Sequence, residues 1–386
     1  MLNFFVAALM GLVLRYVAIG NININYRFLT HAHSHIAMLG WVYLMLFTFI
    51  VHYFAPENKR IYNRLFWLTQ FAVIGMMLSF PFQGYGVISI TFSTLHILCS
   101  YYFVYLIWIH HQTKSKVTTL LLKTSLVFML LSTLGVWCLG PAVGLMGKAS
   151  AFYQIAIQFF LHFQFNGWFL FAVIALFFHL LDIKDSKSFR IFIKLLIAST
   201  LLTLALPIHW FQSHDILLKI NTFGVILQLI ALFYFFKLLS IQFTEFKKTI
   251  SKLITYCLWL AMFCLIIKSM VQLASILPAF AEGLYRHRNF VIGFIHLLML
   301  GVLSGFLFSF ILREHLSNPS KLLAYGLYSF FIGFTITEIL LLFQGIRFYF
   351  GMHLFPNYYE LLFVFSILLP LGISILIISI IKQKKG

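Results

Sequence analysis

The chain has 386 residues, of which 62% are hydrophobic and 9% are charged. Soluble domains carry about 25% charged residues, so this composition excludes a water-soluble enzyme. The 27 Lys and Arg residues against 9 Asp and Glu give a net charge of +18, which in so apolar a chain indicates membrane topology rather than nucleic-acid binding. The four cysteines lie in apolar runs and form no CxxC or CxxCH motif, so a disulfide scaffold, a zinc ribbon and covalently attached haem are unsupported.

Apolar runs long enough for bilayer-spanning helices follow one another along the whole chain. There are twelve of them, at residues 2–19, 33–53, 65–83, 87–109, 117–139, 153–181, 191–206, 217–238, 253–277, 290–312, 322–343 and 358–381. Short loops connect them, with no room for a second soluble domain. The pattern predicts an all-α polytopic membrane protein, with about twelve transmembrane helices in a single transmembrane domain over residues 1–386.

Basic residues are distributed unequally between the two sets of loops. Sixteen Lys and Arg residues lie in one set of alternate loops and the C-terminal tail, against five in the other set. An excess of Lys and Arg marks the cytoplasmic side of a membrane protein. With twelve spans, the asymmetry predicts that both termini face the cytoplasm.

Spans 2, 6 and 10 each carry a histidine near the outer end, followed by glycine five residues later. The sequences are HIAMLGW from His35, HFQFNGW from His162 and HLLMLGV from His296. Each interval contains four spans, which predicts a pseudo-three-fold arrangement of four-helix repeats. The repeats cover approximately residues 1–115, 116–245 and 246–386.

Five histidines within these spans are candidate ligands, because a buried imidazole needs a hydrogen-bond partner or a metal. They are His31, His33, His35, His162 and His296. His31 and His35 share one helix face, whereas His33 points to the other. A haem requires two axial imidazoles, an apolar slot and cations for its propionates. The outer side supplies such cations at Arg27, Arg286, Arg288 and Arg347. The alternatives are polar packing for each histidine and ordinary loop charge for each arginine.

Two further ionisable residues lie deep within predicted spans. They are Glu338 and Lys268. Ionisable groups inside a membrane are costly and usually functional. The sequence leaves open whether these two residues pair with each other or take part in a proton relay.

The twelve spans, the cytoplasmic termini, the three four-helix repeats and the histidines of spans 2, 6 and 10 resemble subunit I of the haem-copper oxidase and nitric-oxide reductase superfamily. The sequence likeness is carried by residues 31–41, 158–171 and 290–305. The resemblance implies a low-spin haem b held by His296 and by His35, or alternatively His33, and it places His162 at a copper-binding position.

The chain departs from that family at two places. Phe294 stands two residues before His296, where the family has the ligand of its high-spin haem, and residues 194–206 of span 7 contain no histidine. The chain therefore resembles a degenerate, NnrS-like member without a normal haem-copper reaction centre. The resemblance implies a bacterial inner-membrane haem protein that relays electrons or binds a small gas such as nitric oxide. Its partners would be the lipid bilayer and a redox protein or quinol, and any enzymatic activity would be that of an oxidoreductase acting on a gas or quinol.

Two other functions remain as alternatives at this point. The first is a membrane protein that handles copper or another metal, using His31, His35 and His162. The second is a twelve-span transporter, although transporters of that size usually have two halves and broken helices at the midplane. A reducible haem spectrum would distinguish the haem protein from both.

Overall fold

The structure is a computed structural model that describes residues 1–240, 242–315 and 320–383. Every regular element within these ranges is helical, and the chain is an all-α polytopic membrane protein. Lys384 and Lys385, which contribute to the predicted cytoplasmic charge, lie outside the described residues.

Eleven helices of the described ranges are long and apolar enough to cross a bilayer. A shorter apolar helix, α1 (Leu2–Tyr16), precedes them. The eleven are α2 (Tyr26–Phe54), α3 (Arg60–Gln83), α4 (Val87–His110), α5 (Lys116–Met146), α6 (Ala151–Leu180), α7 (Lys187–His209), α8 (Asp215–Leu239), α9 (Lys252–Ala274), α10 (Arg288–Glu314), α11 (Lys321–Tyr349) and α12 (Tyr358–Lys382). Two short helices, Gln242–Lys248 and Pro278–Arg286, lie in the loops that flank α9.

The twelve predicted runs correspond to these twelve helices in order, and the difference lies in α1. It has 15 residues, which at 1.5 Å per residue gives a length of about 22 Å, whereas the hydrocarbon core is about 30 Å thick. Arg15 lies in its last turn. Helix α1 is therefore shorter than a full span.

Serine side chains begin several of the membrane helices. Ser115, Ser150, Ser186 and Ser320 each accept a hydrogen bond from the backbone N–H three residues later. A helix end has unpaired N–H groups, and such a cap satisfies one of them at the membrane surface. A helix satisfies most of its backbone groups within itself, which suits it to the water-free interior of a bilayer.

The chain divides into two compact units. The first contains residues 1–109, 251–258 and 289–386, and the second contains residues 110–250 and 259–288. In the first unit, α1 packs against α2 and α12, and α11 packs along α12. In the second, α5 packs along α6, and α7 packs along α8.

Glycines allow the closest of these helix approaches. A Cβ atom on Gly135 of α5 would lie 2.5 Å from the carbonyl oxygen of Ala156 in α6, and one on Gly372 of α12 would lie 2.7 Å from that of Gly326 in α11. Backbones that meet this closely exclude any side chain, which is the usual packing of helices in membranes.

Candidate functional site

The three histidines of the predicted repeats share a local feature of the backbone. A π-helical segment begins at the residue after each of them, in α2, α6 and α10. The segments are Ile36–Tyr43 after His35, Phe163–Phe169 after His162 and Leu297–Leu303 after His296. Wider π turns are rare and occur often at functional sites. The sequence signal was the glycine five residues after each histidine, which lies inside each π segment. The three-fold repeat itself stays a prediction.

The π segments of α2 and α10 meet in the first unit through a buried polar contact. Trp41 donates its indole N–H to the Ser304 hydroxyl oxygen at 2.9 Å, and Ser304 follows directly on the π segment of α10. Phe4 of α1 stacks on the Trp41 ring with centroids 4.5 Å apart. These contacts fix the segments that follow His35 and His296.

His33 lies against α1. Its Nδ1–H donates to the backbone carbonyl of Ala7 at 2.8 Å, and this bond fixes the tautomer with a free lone pair on Nε2. A Cβ atom on Gly11 would lie 2.9 Å from Cε1 of the imidazole. Gly11 is therefore the residue that lets the His33 ring pack against this helix.

His296 lies in the same unit and within electrostatic range of His33. Its Nδ1 is 3.6 Å from the Glu338 carboxylate oxygen Oε1, which is an ion-pair distance but longer than a hydrogen bond. The His296 side chain remains 23% exposed. The Oε1 atom of Glu338 is buried and has no hydrogen-bond partner within the described residues.

Arg15 of α1 is the cation of this cluster. It interacts electrostatically with His33, His296 and Glu338. Arg15 was not among the cations expected to bind propionates, because it lies within the first apolar run and not in an outer loop. The sequence signal available for Arg15 was its place near the end of an apolar helix that also carries Gly11. We call Arg15, His33, His296 and Glu338 the polar cluster.

His35 has different surroundings from His33. Its Nδ1–H donates to the His31 carbonyl at 2.8 Å, and its ring lies 4.4 Å from that of Phe80 and 5.8 Å from that of Tyr85, measured between centroids. Its electrostatic neighbours include His31 and the buried His96. His31 also contacts Tyr85, at 4.7 Å between centroids. The structure thus brings His31 and His35 together on the α3 side of α2.

His162, the predicted copper position, lies in the second unit. Its Nε2–H donates to the Thr200 carbonyl at 2.7 Å, so the free lone pair is on Nδ1 rather than Nε2. In His33 and His35, by contrast, it is Nδ1 that bonds a backbone carbonyl.

The predicted arginines have local partners. Arg286 forms an ion pair with Glu282, one turn earlier in the same helix. The Nε–H of Arg347 donates to the His353 carbonyl at 3.0 Å, and the guanidinium lies over the Phe343 ring. Arg288 begins α10, and Arg27 interacts with His31.

Glu338 and Lys268 each have a partner of their own. Glu338 faces His296, as described above, and Lys268 donates from Nζ to Gln272 Oε1 at 2.7 Å. The two residues belong to different compact units. They therefore require separate explanations.

Within the described ranges, the structure contains no group of three or more His, Cys, Asp or Glu side chains arranged to hold a metal ion. A haem needs only two axial ligands from the protein. No protein-family model matches this chain, and no curated protein matches it significantly in sequence.

Proposed function

We propose that this chain is a membrane b-type haem protein whose axial ligands are His33 and His296, and that it relays electrons within the membrane. The observation that carries the proposal is that two histidines of one unit, His33 bonded to the Ala7 carbonyl and His296 beside Glu338, lie within electrostatic range of each other. A haem held by two histidines would have no open position for a gas, which favours electron transfer over gas binding. The electron donor would be a quinol or a redox protein.

The hydrogen bonding of the candidate ligands supports a haem site. Histidines that bind a metal usually donate their other N–H to a carbonyl or carboxylate, which fixes the ring and leaves one lone pair for the metal. The His33 bond to the Ala7 carbonyl has this form. The Glu338 carboxylate lies 3.6 Å from His296 Nδ1, just beyond hydrogen-bond distance, and is the acceptor that such a bond would use. The sequence favoured His35 over His33. We choose His33 because it lies within electrostatic range of His296, whereas the electrostatic neighbours of His35 include His31 and His96.

Arg15 supports the proposal through its charge. A haem b carries two propionates, which need cations in a medium of low dielectric constant. Arg15 interacts with both candidate ligands, whereas Arg286 is already paired with Glu282. When bound, the haem would supply one-electron redox chemistry. The protein would hold its iron through His33 and His296 and balance its charge through Arg15.

The absorption spectrum of the purified protein tests the function directly. We expect protein purified from haem-replete cells to show a reducible low-spin haem spectrum, with about one haem b per chain by extraction. Folded protein that stays colourless after haem is supplied would contradict the proposal. It would leave the transporter and the metal-handling protein as the remaining functions.

We also infer that the basic loops face the cytoplasm of a bacterial cell, across its inner membrane. The charge asymmetry between the loops supports this orientation. Cytoplasmic placement of both termini further requires α1 to cross the bilayer together with the eleven longer helices, since an even number of crossings returns the chain to the same side. Its 15 residues would need the loop residues that follow to complete the crossing.

Cysteine labelling in intact cells checks this orientation. We expect a membrane-impermeant thiol reagent to label a Ser213→Cys variant and to leave a Lys187→Cys variant unlabelled. The parent chain, with its four natural cysteines, is the control for background labelling. The reverse pattern, with Lys187→Cys labelled and Ser213→Cys protected, would mean that the orientation is inverted.

A further inference from the structure

A small cavity lies between helices of the second unit. Its volume is about 30 Å³, which is enough for one small ion or about two water molecules. Side chains from α6, α7, α8 and α9 form its walls. The polar ones are Asn166, Ser199, Thr200, Thr203, Gln228, Lys268 and Ser269. The other seven lining residues are apolar, so polar and apolar side chains share the wall equally in number.

Lys268 gives the cavity its charge. The side chain is 2% exposed, and its Nζ donates to Gln272 Oε1, an acceptor that also receives the Gln228 amide at 2.7 Å. None of the described residues that line the cavity is acidic. His162 is a second basic group within electrostatic range. A buried ammonium without a counter-charge is strongly unfavourable, and an anion in the cavity would supply that counter-charge.

The hydroxyl groups of the wall can donate hydrogen bonds to such an ion. Thr200 donates its hydroxyl to the Leu196 carbonyl, and Thr203 donates to the Ser199 carbonyl. The Ser199 carbonyl already accepts the backbone N–H of Thr203, so the helix bond survives when the hydroxyl turns away. A hydroxyl hydrogen rotates easily to suit its partner. Turning towards the cavity therefore costs little.

Asn166 provides a second sign that the cavity takes a ligand. Its Oδ1 atom is buried and has no hydrogen-bond partner in the part of the chain that the structure describes, and the residue lines the cavity. Rotation of the carboxamide by a half turn exchanges the oxygen for the NH₂ group in the same volume. The side chain can then donate to an anion, which removes the unsatisfied polar atom.

We propose that this cavity is a binding site for one small monovalent anion of the size of chloride or nitrite. The Lys268 ammonium provides the charge, and Thr200, Thr203, Ser199 and Asn166 provide neutral donors. The site lies within the second unit and does not depend on the haem proposal, so either can fail alone.

Equilibrium binding to the purified full-length protein tests the site. With gluconate as the background anion at constant ionic strength, we expect chloride and nitrite to compete for about one saturable site per chain. Both should raise the Tm in a saturable manner, since a ligand that binds the folded state stabilises it. Failure of both anions to bind saturably would overturn the proposal.

Substitutions distinguish this cavity from binding elsewhere. We expect Lys268→Met, which keeps the length of the side chain but removes its charge, to abolish anion binding and the Tm response. The matched control is Lys237→Met, since Lys237 is an exposed residue of α8 that lies over the Tyr234 ring; it should bind as the parent does. Thr200→Val removes one donor and should weaken binding about tenfold, which provides a second test where Lys268→Met does not fold. Unchanged anion affinity in folded Lys268→Met or Thr200→Val would contradict this assignment.

Discussion

Replacement of His296 by alanine is expected to abolish the low-spin haem signal of the purified protein. Loss of one axial imidazole leaves an open position on the iron that the alanine methyl group cannot fill. The low-spin electron paramagnetic resonance signal should fall more than about tenfold, with either high-spin haem or loss of haem in its place. Absorption and resonance spectra of the oxidised protein measure this change.

His353→Ala is the matched control for this experiment. His353 lies in the loop between α11 and α12, where its side chain is exposed and its backbone carbonyl accepts a bond from Arg347. The substitution keeps that carbonyl, so the spectrum should remain that of the parent. A monodisperse elution profile in detergent establishes that each variant is folded. A full low-spin signal in folded His296→Ala would remove His296 from the haem site.

A glycine in α5 gives the second large effect, on stability. We expect Gly135→Ala to lower the free energy of unfolding by about 1–3 kcal/mol, the usual cost of overpacking a tight interior. The new methyl group would lie 2.5 Å from the Ala156 carbonyl oxygen and 2.9 Å from the Phe160 backbone nitrogen. Neither backbone atom can move without separating α5 from α6. Unfolding in mixed micelles measures the difference from the parent.

Gly140, in the same helix, offers the control. A Cβ atom there has no neighbour within 4 Å, so Gly140→Ala should be neutral or slightly stabilising because alanine has the higher helix propensity. Equal stability of Gly135→Ala and Gly140→Ala would show that α5 and α6 do not pack as closely as the structure has them.

The sequence predicts the membrane helices well because each span must satisfy its own backbone and therefore leaves a long apolar run. The runs around His35, Leu196 and Leu376 are examples, and their positions agree with α2, α7 and α12. The length of α1 is harder to predict. Apolar residues continue from Val17 to Ile19 beyond the end of the helix at Tyr16, so hydropathy alone does not reveal where the helix stops.

The arrangement of the polar cluster could be predicted only in part. The two-residue spacing of His33 and His35 shows that they point to different sides of α2. It does not show which side α10 occupies. Whether His33 or His35 lies on the side of α10 depends on which helices pack together. Ala7 and Gly11 of α1 hold His33 in place. Arg15 was overlooked because its importance comes from the histidines of other helices rather than from its own neighbours in sequence.

The most direct measurement of the central claim compares the haem midpoint potentials of His33→Met and His35→Met. A methionine sulfur in place of one axial imidazole raises the potential of a haem. Our account predicts a raised potential in His33→Met and the parent's potential in His35→Met, because His33 is the proposed ligand on the side of His296. A raised potential in His35→Met together with an unchanged one in His33→Met would contradict the account.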